Sequence, residues 1–239
     1  MDKTSRRPWT GALVASSMAV LLAGCDTQAP APEAPPQAEA PLADDLPVMG
    51  PPRTILAFGD SLFAGYQLAE DEGYPERLEG VLRRSGIDAT VIDAGVSGDT
   101  TAAGRQRIAF VLDNLQAMPD LAIVELGGND LLRGIQPAQT RDNLVAILDE
   151  LKARGVPVML MGMRAPPNYG PQYQADFDGL YPALAEQYDA ALVPFFMAPL
   201  VEDPSLVQAD RIHPTAQGVE AMVAATVDTV VEALPEKAG

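Results

Sequence analysis

Short apolar segments alternate with amphipathic segments from residue 53 to residue 234, and this alternation restricts the fold more than any other feature of the sequence. The apolar runs are RTILAF (53–58), ATVID (89–93), DLAIVEL (120–126), PVMLMGM (157–163) and AALVPF (190–195). Helical spacing of apolar residues is found at 74–86, 101–118, 139–155, 173–189 and 215–234. Near-continuous apolar strands separated by amphipathic helices are typical of a parallel sheet covered on both faces. With right-handed crossovers, the sequence predicts an α/β fold, a three-layer α/β/α sandwich with a five-stranded parallel sheet.

Three segments rich in Gly, Ser, Asp and Asn follow the first three predicted strands. They are GDSLFAGY (59–66), AGVSGDTT (94–101) and GGNDLLRG (127–134). Turn formation alone explains any one of them, because these residue types populate tight turns. In open parallel sheets, however, ligands bind beyond the carboxyl ends of the strands. We therefore expect the three segments to border one site.

The only histidine of the chain, His213, stands three residues after Asp210 and directly before Pro214. A single histidine is often structural, but Ser61 at the end of the first strand offers a nucleophile for it to activate. Pro214 disfavours helix at His213 and can open the last helix. The alternative is that Asp60 or Ser61 merely caps a following helix. Phe63 occupies the last position of a G-x-S-x-G pattern, which disfavours an ordinary α/β-hydrolase.

Four short motifs, in order along the chain, resemble the four sequence blocks of the SGNH, or GDSL, hydrolase family. They are FGDSL (58–62), VSGDTT (96–101), GGND (127–130) and DRIHP (210–214). The intervening text ELGGNDLLRGIQP, NYGPQYQADFDGLYPALAEQYD and LVPFFM is similar to the subgroup that contains the bacterial multifunctional acyl-CoA thioesterase, lysophospholipase and arylesterase. The resemblance covers residue 53 to the C-terminus.

This resemblance implies a flavodoxin-like sheet and a role for each motif residue. Ser61 is expected to be the nucleophile and His213 its general base, with Asp210 orienting the imidazole. The backbone N–H groups of Ser61 and Gly98 and the side-chain amide of Asn129 are expected to form the oxyanion hole. Taken alone, Asn129 would be interpreted as a turn residue.

The implied activity is that of a serine esterase acting on carboxylic esters and thioesters with short to medium acyl chains. The loops LLRGIQP (131–137) and RAPPNYGPQY (164–173) are expected to border the substrate. Their candidate substrate-binding residues are Leu131, Leu132, Ile135, Pro166 and Tyr169. Each of these could instead pack beneath the loops.

Two other functions stay open at this point. Other SGNH hydrolases deacetylate sugars, so a carbohydrate O-acetylesterase is one alternative, although the mostly apolar loops speak against it. A non-catalytic lipoprotein that binds acyl lipid is the other. The complete Ser, Gly, Asn and His set argues against that second alternative.

The N-terminus resembles a lipoprotein signal. Lys3, Arg6 and Arg7 precede an apolar run at 11–22, and LAGC, ending at Cys25, resembles a lipobox. Residues 26–52 are rich in Pro, Ala and acidic residues and predict a disordered tether. The expected organisation is a signal peptide at 1–25, the tether at 26–52 and a hydrolase domain at 53–239. We expect an exported protein, lipid-anchored through Cys25 at the cell envelope and facing the periplasm.

The charge balance disfavours nucleic acid as a partner, and the numbers of histidine and cysteine residues disfavour a structural zinc site. The chain carries 33 acidic against 16 basic residues, a net charge of −17, which disfavours nucleic acid as a partner. One cysteine allows no intramolecular disulfide, and one histidine with one cysteine makes a structural zinc site implausible. We expect no metal and no cofactor.

Overall fold

Five parallel strands form a single sheet in the computed structural model, which describes residues 48 and 50–236. The strands are β1 (Arg53–Gly59), β2 (Ala89–Gly95), β3 (Leu121–Glu125), β4 (Val158–Met161) and β5 (Ala191–Val193). Their spatial order is β2-β1-β3-β4-β5, and every neighbouring pair is parallel. This is the order of the flavodoxin-like doubly wound sheet, so the predicted fold class is confirmed.

The sheet core is apolar because helices cover both of its faces. Ile55 to Phe58 of the inner strand β1 are fully buried, and Ile55 pairs with Val91 of β2 and with Leu121 of β3. All five residues of β3 are buried as well. The continuous apolar runs in the sequence follow from this burial on two sides.

The helices flank the sheet in two layers. They are α1 (Tyr74–Arg84), α2 (Thr101–Asp113), α3 (Gly128–Leu132), α4 (Pro137–Ala153), α5 (Pro171–Asp178), α6 (Leu180–Tyr188), α7 (Ala198–Glu202) and α8 (Ala216–Ala233). Helix α1 packs against α8, and α2 packs against α4. Hydroxyl groups of Tyr74 and Thr226 join α1 to α8 through a buried hydrogen bond of 2.7 Å.

The structure differs from the sequence prediction at several helix boundaries. The segment predicted as helical at 173–189 is two helices, interrupted at Gly179. Pro182 accounts for the break, since it lacks an N–H and is tolerated only in the first turn of α6. The segment at 101–118 is helical only as far as Asp113. Helix α8 begins after Thr215, whose side chain accepts a hydrogen bond from Gly218 N–H, so Thr215 and not Pro214 opens the last helix.

The predicted signal peptide, Cys25 and almost all of the predicted tether lie outside the described residues. Within residues 48 and 50–236, no helix is long and apolar enough to cross a membrane.

Helix α8 approaches the loop before it very closely, and this contact needs a residue without a side chain. A Cβ atom at Gly218 would lie 2.3 Å from the backbone oxygen of Leu206 and 3.0 Å from Pro214 Cβ. The same Leu206 oxygen accepts the backbone N–H of Thr215 at 2.8 Å, so it cannot move without loss of that bond. The position of α8 and the position of the segment that carries His213 are therefore coupled.

We predict that Gly218→Ala destabilises the protein by about 1–3 kcal/mol, because overpacking against backbone outweighs the better helix propensity of alanine. The control is Gly80→Ala in α1, where the new Cβ meets only the flexible end of Arg84. That variant should keep or gain stability, by up to about 1 kcal/mol. Urea unfolding of both variants measures the difference. Equal stability changes would contradict the close-contact explanation.

Candidate active site

Ser61 lies in a turn that follows β1 directly. The Asp60 carboxylate accepts the backbone N–H of Leu62 at 3.1 Å, and the backbone oxygen of Ser61 accepts the N–H of Tyr66 at 3.3 Å. No helix begins here, since α1 starts only at Tyr74. Asp60 thus stabilises a turn and does not cap a helix. This turn leaves the Ser61 hydroxyl at the sheet edge, 2.9 Å from Nε2 of His213.

Asp210 contacts the other nitrogen of the same imidazole. Its Oδ2 lies 2.6 Å from His213 Nδ1, and its Oδ1 accepts the backbone N–H groups of Ile212 and His213 at 2.9 and 3.0 Å. The hydrogen bond with His213, followed by the two backbone bonds, lowers the pKa of Asp210 to about 2. The carboxylate is therefore ionised at any pH near neutrality. It holds the imidazole with Nδ1 as donor and Nε2 directed at Ser61.

The segment that carries His213 is fastened to the segment that carries Ser61. Nε2 of the Gln208 side chain donates to the backbone oxygen of Tyr66 at 2.9 Å and to that of Pro214 at 2.8 Å. The Tyr66 ring also lies against the imidazole, with ring centroids 4.3 Å apart. These contacts fix the distance between the hydroxyl and the imidazole without taking part in either hydrogen bond.

Two backbone N–H groups near Ser61 are available to a ligand. Neither Ser61 N–H nor Gly98 N–H donates to any residue in the described part of the chain. Gly98 has φ of +86°, a conformation that strains other residues. Its backbone oxygen accepts Arg133 Nη2 at 2.8 Å. Arg107 braces the same loop, because it contacts Asp99 at 2.6 Å and the Gly59 oxygen at 2.9 Å.

Asn129 lies in the short helix α3, at the carboxyl end of β3. Its Nδ2 donates to Asp60 Oδ2 at 2.9 Å, which leaves a second amide hydrogen for another acceptor. The next residue, Asp130, is fully buried and anchors α3. Asp130 accepts the backbone N–H of Thr101 at 2.8 Å, and it also accepts the hydroxyl groups of Thr101 and Thr140.

A cavity of about 310 Å³ opens beside Ser61. Ser61, Asn129 and His213 line it, whereas Gly98 is outside its lining and Asp210 lies behind the imidazole. Its remaining walls are mostly apolar and come from five segments of the chain: Leu62, Leu131, Leu132, Met163, Pro166, Phe195, Met197, Val201 and Ile212. Such a volume is at the lower end of the range for small-molecule sites.

Three of the five substrate-binding candidates line the cavity, namely Leu131, Leu132 and Pro166. Ile135 and Tyr169 do not, which corrects the expectation for these two residues. The Tyr169 hydroxyl donates to the backbone oxygen of Leu131 at 2.6 Å, and Tyr173 donates to that of Ile135 at 2.7 Å. Both tyrosines therefore fasten the loop after β4 to the loop after β3.

The predicted substrate-bordering loop 164–173 supplies Arg164 and Pro166 to the cavity, but the sequence prediction missed Met163 just before that loop and the wall that follows β5. Phe195 and Met197 belong to that second wall. A signal was present in the sequence, because these residues follow predicted strands at the same carboxyl edge of the sheet as the first three motifs. Arg164 and Arg211 also line the cavity, and no carboxylate of the described residues lies within ion-pair distance of either guanidinium.

Comparison with known proteins agrees with this geometry. Residues 57–221 match the model of the GDSL-like lipase/acylhydrolase family. The arylesterase of Vibrio mimicus is 41% identical over 160 residues, which cover 67% of this chain and 79% of that protein. The "Thioesterase 1/protease 1/lysophospholipase L1" of Escherichia coli is 41% identical over 161 residues, 67% of this chain and 75% of that protein.

A solved structure extends the match to the whole domain. Esterase AlinE4, described as an SGNH-hydrolase family esterase, is 62% identical, with a TM-score of 0.67 over 79% of this chain and 100% of that chain. The family match spans both Ser61 and His213, the two residues joined by the hydrogen bond described above. The chain therefore belongs to the GDSL-like lipase/acylhydrolase family and is a serine ester hydrolase.

Proposed function

We propose that Ser61 attacks the acyl carbonyl of an ester or thioester while His213 accepts the serine proton. The observation that carries this proposal is the continuous chain of contacts from Ser61 Oγ through His213 to Asp210, at 2.9 and 2.6 Å. His213 then gives the proton to the leaving alcohol or thiol, and an acyl-enzyme remains on Ser61. A water molecule then attacks the acyl carbon while His213 takes its proton. The bond from the acyl carbon to Ser61 Oγ breaks, His213 returns the proton to Oγ, and the carboxylic acid leaves.

The negative charge that develops on the carbonyl oxygen needs donors already in place. Ser61 N–H, Gly98 N–H and the free hydrogen of the Asn129 amide are the proposed donors. The Gly98 loop and helix α3 support this assignment, because hydrogen bonds to neighbouring residues hold both of them in place. Asp210 stabilises the imidazolium that forms in the same step.

The proposed substrates carry short to medium, apolar acyl chains. Support comes from the size of the cavity and from its apolar walls, to which Leu131, Met163, Pro166, Phe195 and Met197 contribute. A sugar substrate would need polar groups to replace its hydration shell, and the cavity offers few of them. Arg164 and Arg211 suit a leaving group that carries a negative charge, such as a phosphate. The Escherichia coli relative is named as a thioesterase and lysophospholipase.

We also propose that the protein is exported and held at the cell envelope by a lipid on Cys25, with the hydrolase domain facing the periplasm. The basic residues, apolar run and LAGC motif at the N-terminus support this proposal. The net charge of −17 works against adsorption to anionic membranes, so attachment would rest on the lipid.

Hydrolysis of p-nitrophenyl hexanoate and acetate tests the reaction. The wild-type enzyme should have the higher kcat/KM on hexanoate, because the cavity buries the longer chain. Ser61→Ala and His213→Ala should each lower kcat by roughly 10⁴ to 10⁶-fold, and the double variant should be hardly worse, because the two side chains act as a unit. Multiplying losses in the double variant would refute the proposed proton transfer between them.

Replacement of Asn129 by Ala separates an oxyanion role from a turn role. We expect kcat to fall about a hundredfold, the cost of about 3 kcal/mol for one lost donor, with KM little changed. Asn114→Ala is the control, since Asn114 also donates to an oxygen atom, the backbone oxygen of Phe110, but lies at the C-terminal end of α2 and does not line the cavity. Kinetics and thermal melts are measured on the same preparations. A lower Tm with an unchanged kcat for Asn129→Ala would return this residue to a structural role.

Cells that express the full chain test the lipid anchor. Wild-type protein should incorporate radiolabelled palmitate and sediment with membranes, whereas Cys25→Ser should stay unlabelled and be released from the membrane fraction. Ser61→Ala serves as the control, because it removes catalysis without changing the signal sequence. Palmitate incorporation by Cys25→Ser at the wild-type level would exclude Cys25 as the acceptor.

A further inference from the structure

Glu125, the last residue of β3, is a fully buried acid that takes no part in the proposed reaction. Its Oε2 accepts the backbone N–H of Asp60 at 3.1 Å, directly beneath the turn that carries Ser61. Its Oε1 is buried and has no hydrogen-bond partner among the described residues. No arginine, lysine or histidine of the described residues forms an ion pair with it. A buried acid with so few partners needs an explanation.

Glu125 reaches the site through Asp60. Glu125 accepts the backbone N–H of Asp60, and each oxygen of the Asp60 carboxylate accepts a hydrogen bond from a different donor. Oδ1 accepts the N–H of Leu62 at 3.1 Å, which shapes the serine turn, and Oδ2 accepts Asn129 Nδ2 at 2.9 Å. A displacement of Asp60 would therefore change the direction of the Asn129 amide and the shape of the serine turn together.

The hydrogen bonds of Asp60 and Glu125 indicate which of the two carboxyl groups is protonated. Asp60 has an N–H donor at each oxygen, which stabilises its charged form, whereas Glu125 has one donor and an unpaired oxygen. Burial, and next the charge of Asp60, raise the pKa of Glu125 well above its usual range. Burial also raises the pKa of Asp60, but its hydrogen bonds and the nearby His213 oppose that rise. The proton accordingly belongs to Glu125.

We infer that Glu125 is a positioning residue, a neutral acid that fixes Asp60 so that Asp60 directs the Asn129 amide at the oxyanion. The inference rests on the proposed oxyanion role of Asn129. Neutrality matters because a second negative charge in this low-dielectric region would oppose the charge that develops on the substrate. A neutral acid keeps the hydrogen bond to Asp60 without that repulsion.

Two substitutions of similar length test this role. Glu125→Gln keeps a neutral side chain with an oxygen for Asp60 N–H, so kcat on p-nitrophenyl hexanoate should stay within about threefold of wild type. Glu125→Met fills the same space without a polar atom. Its kcat should fall about ten- to hundredfold with KM nearly unchanged, because a small misplacement of catalytic groups is costly. The pH dependence of kcat/KM should keep its shape in both variants, since neither changes the Asp210–His213 pair.

The matched controls are Glu79→Gln and Glu79→Met. Glu79 also accepts a strand N–H, that of Val91 at 2.8 Å, but lies on α1 away from the site. Glu79→Met should lower Tm and leave kcat unchanged. If Glu125→Met does not fold, Glu125→Asp replaces it, because the shorter acid cannot reach Asp60 N–H and should show the same loss of kcat.

Either of two results would overturn the inference. One is a tenfold or larger fall in kcat for a folded Glu125→Gln, which would mean that a charged carboxylate is required. The other is wild-type kcat for Glu125→Met, or for its replacement Glu125→Asp. Inactivity of the wild type, or full activity of Ser61→Ala, would instead refute the proposed function, so the two failures are distinguishable.

Discussion

The hydrogen bond between Ser61 and His213 joins residues 152 positions apart, and the arrangement of the whole domain serves to close that separation. Ser61 follows the inner strand β1, and His213 precedes α8. Helix α8 reaches the same edge because it packs on α1, where Tyr74 meets Thr226 inside the interface. Gln208 and Tyr66 then set the final approach. The fold thus brings Ser61 and His213 to the same edge of the sheet, and local contacts set the distance between their side chains.

Two acidic residues, one bonded to His213 and one beneath the serine turn, have opposite environments, and the difference follows from their burial and their donors. Asp210 is partly exposed, accepts two backbone N–H groups and the imidazole, and keeps a low pKa. Glu125 is fully buried with one donor, and burial and the charge of Asp60 raise its pKa. In the proposed reaction a negative charge is useful beside the imidazole, which would become positive. A negative charge beneath the proposed oxyanion hole would instead oppose the charge that develops on the substrate.

The strands could be predicted from the sequence because continuous apolar runs indicate burial on both faces of a sheet, as is found for β1 and β3. The sequence also indicated Ser61, Asp210 and His213, since their motifs stand at the carboxyl ends of strands or directly before the last helix. It could not assign Ile135 and Tyr169, because a loop residue can face a cavity or a neighbouring loop with the same local sequence. Glu125 was hidden for a related reason: inside an apolar strand, nothing in the sequence indicates that the backbone N–H of Asp60 lies beside it.

The two tyrosines after β4 illustrate how a polar atom decides such a choice. Tyr169 and Tyr173 could supply apolar area to the cavity, but a phenol hydroxyl needs a partner when it is partly buried. The carbonyl oxygens of Leu131 and Ile135 provide those partners at 2.6 and 2.7 Å. Because both hydroxyls are hydrogen-bonded, the two rings join the loops after β3 and β4. The apolar cavity wall consists of residues without a hydroxyl group, among them Met163 and Phe195. These two phenol hydroxyls are thus hydrogen-bonded to backbone oxygens and do not add polar groups to the cavity wall.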